Sequence, residues 1–152
     1  MTDRLTVLLV EDDPNDVLLT QIAFEKARLA NPLTVVRDGE EAIAYLRGAG
    51  PFADRRRYPM PILVLLDLKM PKLTGFQVLE WLRAQPGMVG RIPVAIMTSS
   101  DHDPDATRAF QLGADSFLQK PPDAEALLAL VQRLHAYWLI LDDSPESHLH
   151  HT

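Results

Sequence analysis

Three features of this chain lead to an α/β sandwich with a parallel β-sheet. Short apolar runs alternate with segments of helical period along the whole sequence, the pattern of repeated strand–helix units. Two of the runs, ILVLL (62–66) and PVAIM (93–97), are apolar without alternation, as strands covered on both faces must be. The runs VLLV (7–10) and ILVLL also empty directly into acids, in VLLVEDD and ILVLLDLKMP. Like charges cannot sit inside a core, so those acids belong at strand carboxyl ends, where loops meet solvent. In open parallel sheets the crossovers are right-handed, and ligands bind outside those carboxyl ends near a reversal of strand order.

The elements follow in order. The first strand is Thr6–Val10, and the helix Pro14–Leu29 comes next, with Asp13 as N-cap and proline at the first helical position. That role makes Asp13 a cap rather than a ligand. The second strand is Leu33–Val36, before a helix Gly39–Arg47 whose Asp38 and Glu41 have capping-box spacing. The long loop GAGPFADRRRYPMP enters the third strand, Ile62–Leu66, at its amino end, on the side away from the acids. The run Arg55, Arg56, Arg57 within it reads as solvated. A helix Gly75–Ala84 follows, with Thr74 and Gln77 as a second capping box, then the fourth strand Pro93–Met97. Asp103-Pro104 starts the helix Pro104–Leu112. The fifth strand is Ser116–Gln119, and the last helix Asp123–Leu141. We read residues 1–141 as one domain with a long last helix and 142–152 as a tail, and assign no function to its closing HLHHT.

Composition excludes several classes of function. At 152 residues the chain is long enough to bury a core, and 47% hydrophobic with 24% charged residues argues against disorder. A net charge of -6 offers no basic footprint for nucleic acid. The absence of cysteine removes disulfides, thiolate chemistry and Cys zinc sites, in keeping with a cytoplasmic location. No run approaches the roughly 20 apolar residues of a membrane span, and the amino terminus lacks the pattern of a signal peptide.

The chemistry gathers at the carboxyl edge. Glu11, Asp12 and Asp67 converging on one crevice would repel one another unless a cation joined them. Oxygen ligands without His or Cys favour a hard ion, Mg²⁺ before a transition metal. Two further strand ends add Thr98, after VAIM, and Lys120, after FLQ. A hydroxyl, an ammonium and a divalent ion suit a phosphoryl group in transfer, with Asp67 as a carboxylate nucleophile able to form an acyl phosphate.

The motifs VEDD, LLDLKMPKLTG, IMTSS and GADSFLQKPP, in that order at strand ends, resemble the receiver domain of two-component response regulators over nearly the whole chain. The resemblance implies a flavodoxin-like, doubly wound sheet of five parallel strands in the order 2-1-3-4-5 with five helices. It implies that Glu11 and Asp12 are the acidic pair and Asp12 a direct Mg²⁺ ligand. Asp67 would be the phosphoacceptor, with Lys69 giving its backbone carbonyl to the metal. Thr98 would be the switch hydroxyl and Phe117 the switch aromatic. Lys120 would contact the phosphoryl group, its bond to Pro121 being cis. In this family the side chains at Lys69 and Ser100 tune how fast the acyl phosphate hydrolyses. The loop YLRGAGPFADRRRYPMP, the segment LDLKMPKLTG and the extension HAYWLILDD are similar to those of stand-alone regulators serving bacterial phytochrome histidine kinases. The partner so implied is a sensor histidine kinase of the bacteriophytochrome kind.

The expected function is a single-domain regulator that takes its phosphoryl group from the kinase and signals by protein contacts. It is not an enzyme on outside substrates, catalysing its own phosphorylation and dephosphorylation alone. With no output domain after the receiver, output is expected through other proteins, with no nucleic acid or membrane involved. Leu127, Leu130, Val131, Leu134, Trp138 and Leu141 form one helical stripe that covers the sheet. Leu128, Tyr137, Leu139 and Ile140 fall outside it, which leads to a homodimer through the last helix. The alternatives are a Mg²⁺-dependent α/β phosphatase or nucleic-acid enzyme, and a receiver-like scaffold that is never phosphorylated. The phosphatases need a second acid two positions after the nucleophile, where Lys69 stands. The nucleic-acid enzymes need an Asp-x-Asp pair at such a strand end, where this sequence has Asp67-Leu68-Lys69.

Overall fold

The computed structural model describes residues 5–99 and 103–135. Five strands, β1 (Val7–Val10), β2 (Leu33–Val36), β3 (Leu63–Leu66), β4 (Val94–Thr98) and β5 (Ser116–Gln119), pair in parallel in the order β2-β1-β3-β4-β5. Between and after them run α1 (Pro14–Lys26), α2 (Gly39–Arg47), α3 (Gly75–Arg83), α4 (Asp103–Gln111) and α5 (Ala124–His135).

Successive side chains of a strand point to opposite faces, and here both faces are dry. Leu8, Val10, Val64, Leu66, Val94 and Ile96 face one core with Tyr45, Leu46, Val78, Leu79, Leu82 and Ala109 of α2, α3 and α4. Val7, Leu9, Leu63, Leu65, Ala95 and Met97 face the other, covered by Val17, Ala23 and Phe24 of α1 and by Leu127, Leu130, Val131 and Leu134 of α5. This is why β1, β3 and β4 read as unbroken apolar runs.

The helix starts follow local chemistry. Asp13 accepts from Asn15 N at 2.9 Å, and Asp38 accepts from Glu41 N at 2.8 Å. Thr74 and Gln77 form a complete capping box.

Several expected bounds move. The helix expected to reach Leu29 stops at Lys26, because Arg28 takes a left-handed φ of 58° and Leu29 N bonds back to Phe24 O at 3.2 Å. Leu29 still packs on the core, so its apolar signal continued past the helix end. α4 begins at Asp103, one residue early, so Asp103 is helical rather than the cap. β4 extends to Thr98, which is its last residue. α5 is described to His135, so Tyr137, Trp138, Leu139, Ile140 and Leu141 lie outside the described residues, as does Ser100. Leu128 is half-buried against the α1–α5 core rather than left over.

The arginine run also departs from its reading as solvated. Arg55 reaches back to the end of α2, donating from Nη1 to Tyr45 O at 2.7 Å and from Nη2 to Leu46 O at 2.8 Å. Its Nη1 also meets Tyr58 O at 3.1 Å. Carbonyls at a helix end have no partner within the helix, and a guanidinium fork satisfies two at once. Arg56 and Arg57 are exposed.

Candidate functional site

The strand order reverses between β1 and β3, and the cleft opens at their carboxyl ends. β1 delivers Glu11 and Asp12, and β3 delivers Asp67. One carboxylate oxygen from each lies within 4.8 Å of the others. Glu11 and Asp67 are buried and Asp12 is exposed, so the cluster is closed below and open above.

Asp67 is held from two sides. Its Oδ1 accepts from Lys69 N at 3.2 Å, and its Oδ2 lies 3.1 Å from Lys120 Nζ. α3 starts against the backbone of this residue: a Cβ on Gly75 would strike Asp67 O and come 2.8 Å from Leu68 Cα. Glycine alone permits that approach, and Gly75 N bonds Leu68 O at 3.0 Å.

Lys120 follows β5, its own N donating to Thr98 O at 2.6 Å. Its ammonium meets three carboxylates: Glu11 Oε1 at 2.6 Å, Asp16 Oδ2 at 2.8 Å and Asp67 Oδ2 at 3.1 Å. Burial works against the charged lysine, but the bonds from Asp16 and Glu11 and the charges of Asp67 and Glu11 outweigh it. Its pKa is therefore raised above that of a free lysine. Glu11 is moved the other way by the same burial. Loss of water pushes its carboxyl from 4.5 up to about 7, while the Lys120 bond and the Asp13 N–H, 3.1 Å from Oε2, hold it down and the Asp67 charge adds to the rise.

The structure thus gathers Glu11, Asp12, Asp67 and Lys120 in one cleft, with the main chain of Lys69 beside Asp67. The Lys69 side chain is exposed. Thr98 is fully buried at the end of β4. Phe117 lies apart on β5, half-buried and packed on the core beneath α3 and α4. Asp13 caps α1 and stays outside the acidic trio. The Lys120–Pro121 bond, expected to be cis, is trans, since no cis peptide occurs among the described residues. Trans is the form an X–Pro bond takes by default.

Sequence reasoning did not single out Asp16. Its signal was weak, because an acid in a first helical turn is already accounted for by the helix dipole.

The donor set of this site fits a hard divalent cation. It offers carboxylate oxygens at short mutual distance, one of them on the open side, with no nitrogen or sulfur ligand among the three.

The family model for the response regulator receiver domain matches residues 7–132. Response regulator Rcp1 of Synechocystis is 33% identical over 133 residues, covering 88% of each chain. The Mn²⁺-bound structure of Rcp1 superposes with a TM-score of 0.78 over 88% of this chain and 94% of that one, at 33% identity. The phosphorylated cyanobacterial phytochrome response regulator RcpA is 32% identical, with a TM-score of 0.81 over 90% of this chain and 94% of its own. RPA3017, a response regulator in red light signalling of R. palustris, is 34% identical, with a TM-score of 0.82 over 88% and 92% of the two chains.

Proposed function

Because this chain belongs to the response regulator receiver family, we propose that Asp67 accepts a phosphoryl group from a histidine kinase in a Mg²⁺-dependent reaction. The carrying observation is the cleft itself: a buried carboxylate between a main-chain N–H and a lysine, beside two further acids. In the reaction an Asp67 oxygen bonds to phosphorus and the P–N bond of a phosphohistidine breaks. Its electron pair stays on the imidazole nitrogen, which takes a proton from solvent. Lys69 N–H and Lys120 Nζ orient the attacking carboxylate, and Lys120 offsets charge on the phosphoryl oxygens. Glu11, Asp12, Asp67 and the Lys69 carbonyl would hold Mg²⁺, which when bound neutralises further phosphoryl charge.

Phosphorylation adds about -1.5 to -2 charges. Thr98 moving toward them frees space for Phe117 to turn inward, which changes the surface of α4 and β5. The activity is self-phosphorylation and its reversal by hydrolysis, without turnover of outside substrates. The likeness to RcpA and RPA3017 supports a sensor kinase of the phytochrome kind. Among the described residues no helix is long and apolar enough to cross a membrane. We extend the receiver unit from the matched residues through the last helix to residue 141, with 142–152 as a tail, and place a homodimer contact on that helix.

The test is labelling with the autophosphorylated kinase or with phosphoramidate, followed by intact mass. Wild type takes one phosphoryl group with Mg²⁺ and none with EDTA, and Asp67→Asn takes none. Full labelling of Asp67→Asn overturns the assignment.

A further inference from the structure

Asp16 stands in the first turn of α1, at the rim of the cleft, with about a third of its side chain exposed. Its Oδ2 is 2.8 Å from Lys120 Nζ, nearer than the 3.1 Å of Asp67. It differs from the other two partners of Lys120 in one respect. Glu11 and Asp67 belong to the acidic trio that can share a cation, and Asp16 does not. When an ion and a phosphoryl group occupy the trio, Asp16 is the carboxylate left to hold the ammonium. A lysine head on a flexible four-carbon stem needs such a tether to stay in one place.

We propose that Asp16 is a positioning residue for phosphoryl transfer, holding Lys120 Nζ beside Asp67 so that Glu11 is released to the metal. This inference rests on the phosphoacceptor reading of Asp67. Asp16 forms and breaks no bond in the reaction, and neither it nor Lys120 gains or loses a proton. Without Asp16 the ammonium falls back on Glu11 and Asp67 and competes with the ion for both. An acid at this position also favours the helix dipole, so the test must separate action through Lys120 from a local effect on α1.

The experiment measures the rate of phosphoramidate labelling and the Mg²⁺ affinity in wild type, Asp16→Asn and Asp16→Glu, and repeats the Asn change in a Lys120→Ala background. Glu25→Gln, an exposed acid at the other end of α1, serves as the charge control. Urea melts confirm that each variant is folded. Asp16→Asn should slow labelling about threefold to tenfold and weaken Mg²⁺ binding by a similar factor, as expected for losing one charged bond that is partly exposed. Asp16→Glu should recover most of both, and Glu25→Gln should change neither. With Lys120 replaced, Asp16→Asn should have no further effect on Mg²⁺ affinity, which stays measurable even if labelling is too slow to follow. Equal losses with and without Lys120, or an Asp16→Asn protein as fast as wild type, overturn the proposal. A wild type that takes no label overturns the phosphoacceptor reading instead.

Discussion

At Lys120 one ammonium faces three carboxylates, so the cleft keeps an excess of negative charge that it holds at close range. Within it the Glu11 carboxyl is lifted to about 7, chiefly by burial, with the Asp67 charge adding to the rise. A carboxyl raised in the folded state favours folding below its unfolded value, and that contribution is lost as pH rises through the folded one. The metal-free protein should therefore lose stability between pH about 4.5 and 7 on account of this group. On the proposal that Glu11 lines the metal site, an ion must displace its proton below pH about 7. Mg²⁺ affinity should then fall as pH drops from 7.5 to 5.5, by at most about tenfold per pH unit. Calorimetric titration checks this, and an affinity flat across the range would remove Glu11 from the site. The positions of Glu11, Asp12, Asp67 and Lys120 were legible because acids and a lysine at the ends of apolar runs have few structural reasons to be there. Asp16 was not legible, because its partner lies far along the chain and only folding brings them together. Nor was the reason for Gly75, which lies in how closely α3 starts against the Asp67 backbone.

Element by element, starts were easier to read than ends. Caps at Asp13, Asp38 and Thr74 are local chemistry, and α1, α2 and α3 begin where those residues place them. The end of α1 depends on the left-handed Arg28, which has no glycine to announce it. Arginines that bind carbonyls were the hardest to read. Arg83 spans from α3 to Gly113 O at 2.9 Å and Ile92 O at 2.7 Å, and pairs with Asp115 at 3.1 Å, tying three segments at the amino edge of the sheet. Arg55 does the same for the α2–β3 loop, where Phe52 packs tilted and Tyr58 edge-on against Tyr45 at ring distances of 5.1 and 6.0 Å. A triplet of arginines offers no way to tell the clamp from its solvated neighbours. The structure does, and the contrast is measurable by urea unfolding. Arg55→Ala should cost about 2 kcal/mol, chiefly for the Leu46 and Tyr58 carbonyls that lose this donor, since Tyr45 O keeps Gly48 N at 3.0 Å. Arg56→Ala, on an exposed side chain, should stay within about 0.5 kcal/mol. Equal costs would mean that the loop is not held by Arg55.

For the whole molecule, the pattern of apolar runs identified a parallel sheet, but not the order of its strands. Nothing local distinguishes 2-1-3-4-5 from other windings; that order came from resemblance and is the order observed. Burial on both faces also bears on assembly. Leu127, Leu130, Val131 and Leu134 of α5 are taken up by the sheet and α1, and Leu128 leans on the same core. The described part of the last helix therefore has little apolar surface to spare. A dimer built on this helix must draw on Tyr137, Leu139 and Ile140, which lie beyond the described residues in the apolar stretch AYWLIL. A two-fold contact repeats each such residue on both copies, so even a short segment contributes twice. Light scattering at tens of micromolar, with and without beryllofluoride, should give a dimer for wild type and a monomer for Tyr137→Glu, Ile140→Glu. Placing two carboxylates per copy in an apolar contact leaves buried charges unpaired, which disfavours association. Leu128→Glu is the complementary probe: it should lower stability through the core before it changes association. A monomeric wild type under both conditions would exclude the dimer, and a dimer that survives the double substitution would move the contact off this helix.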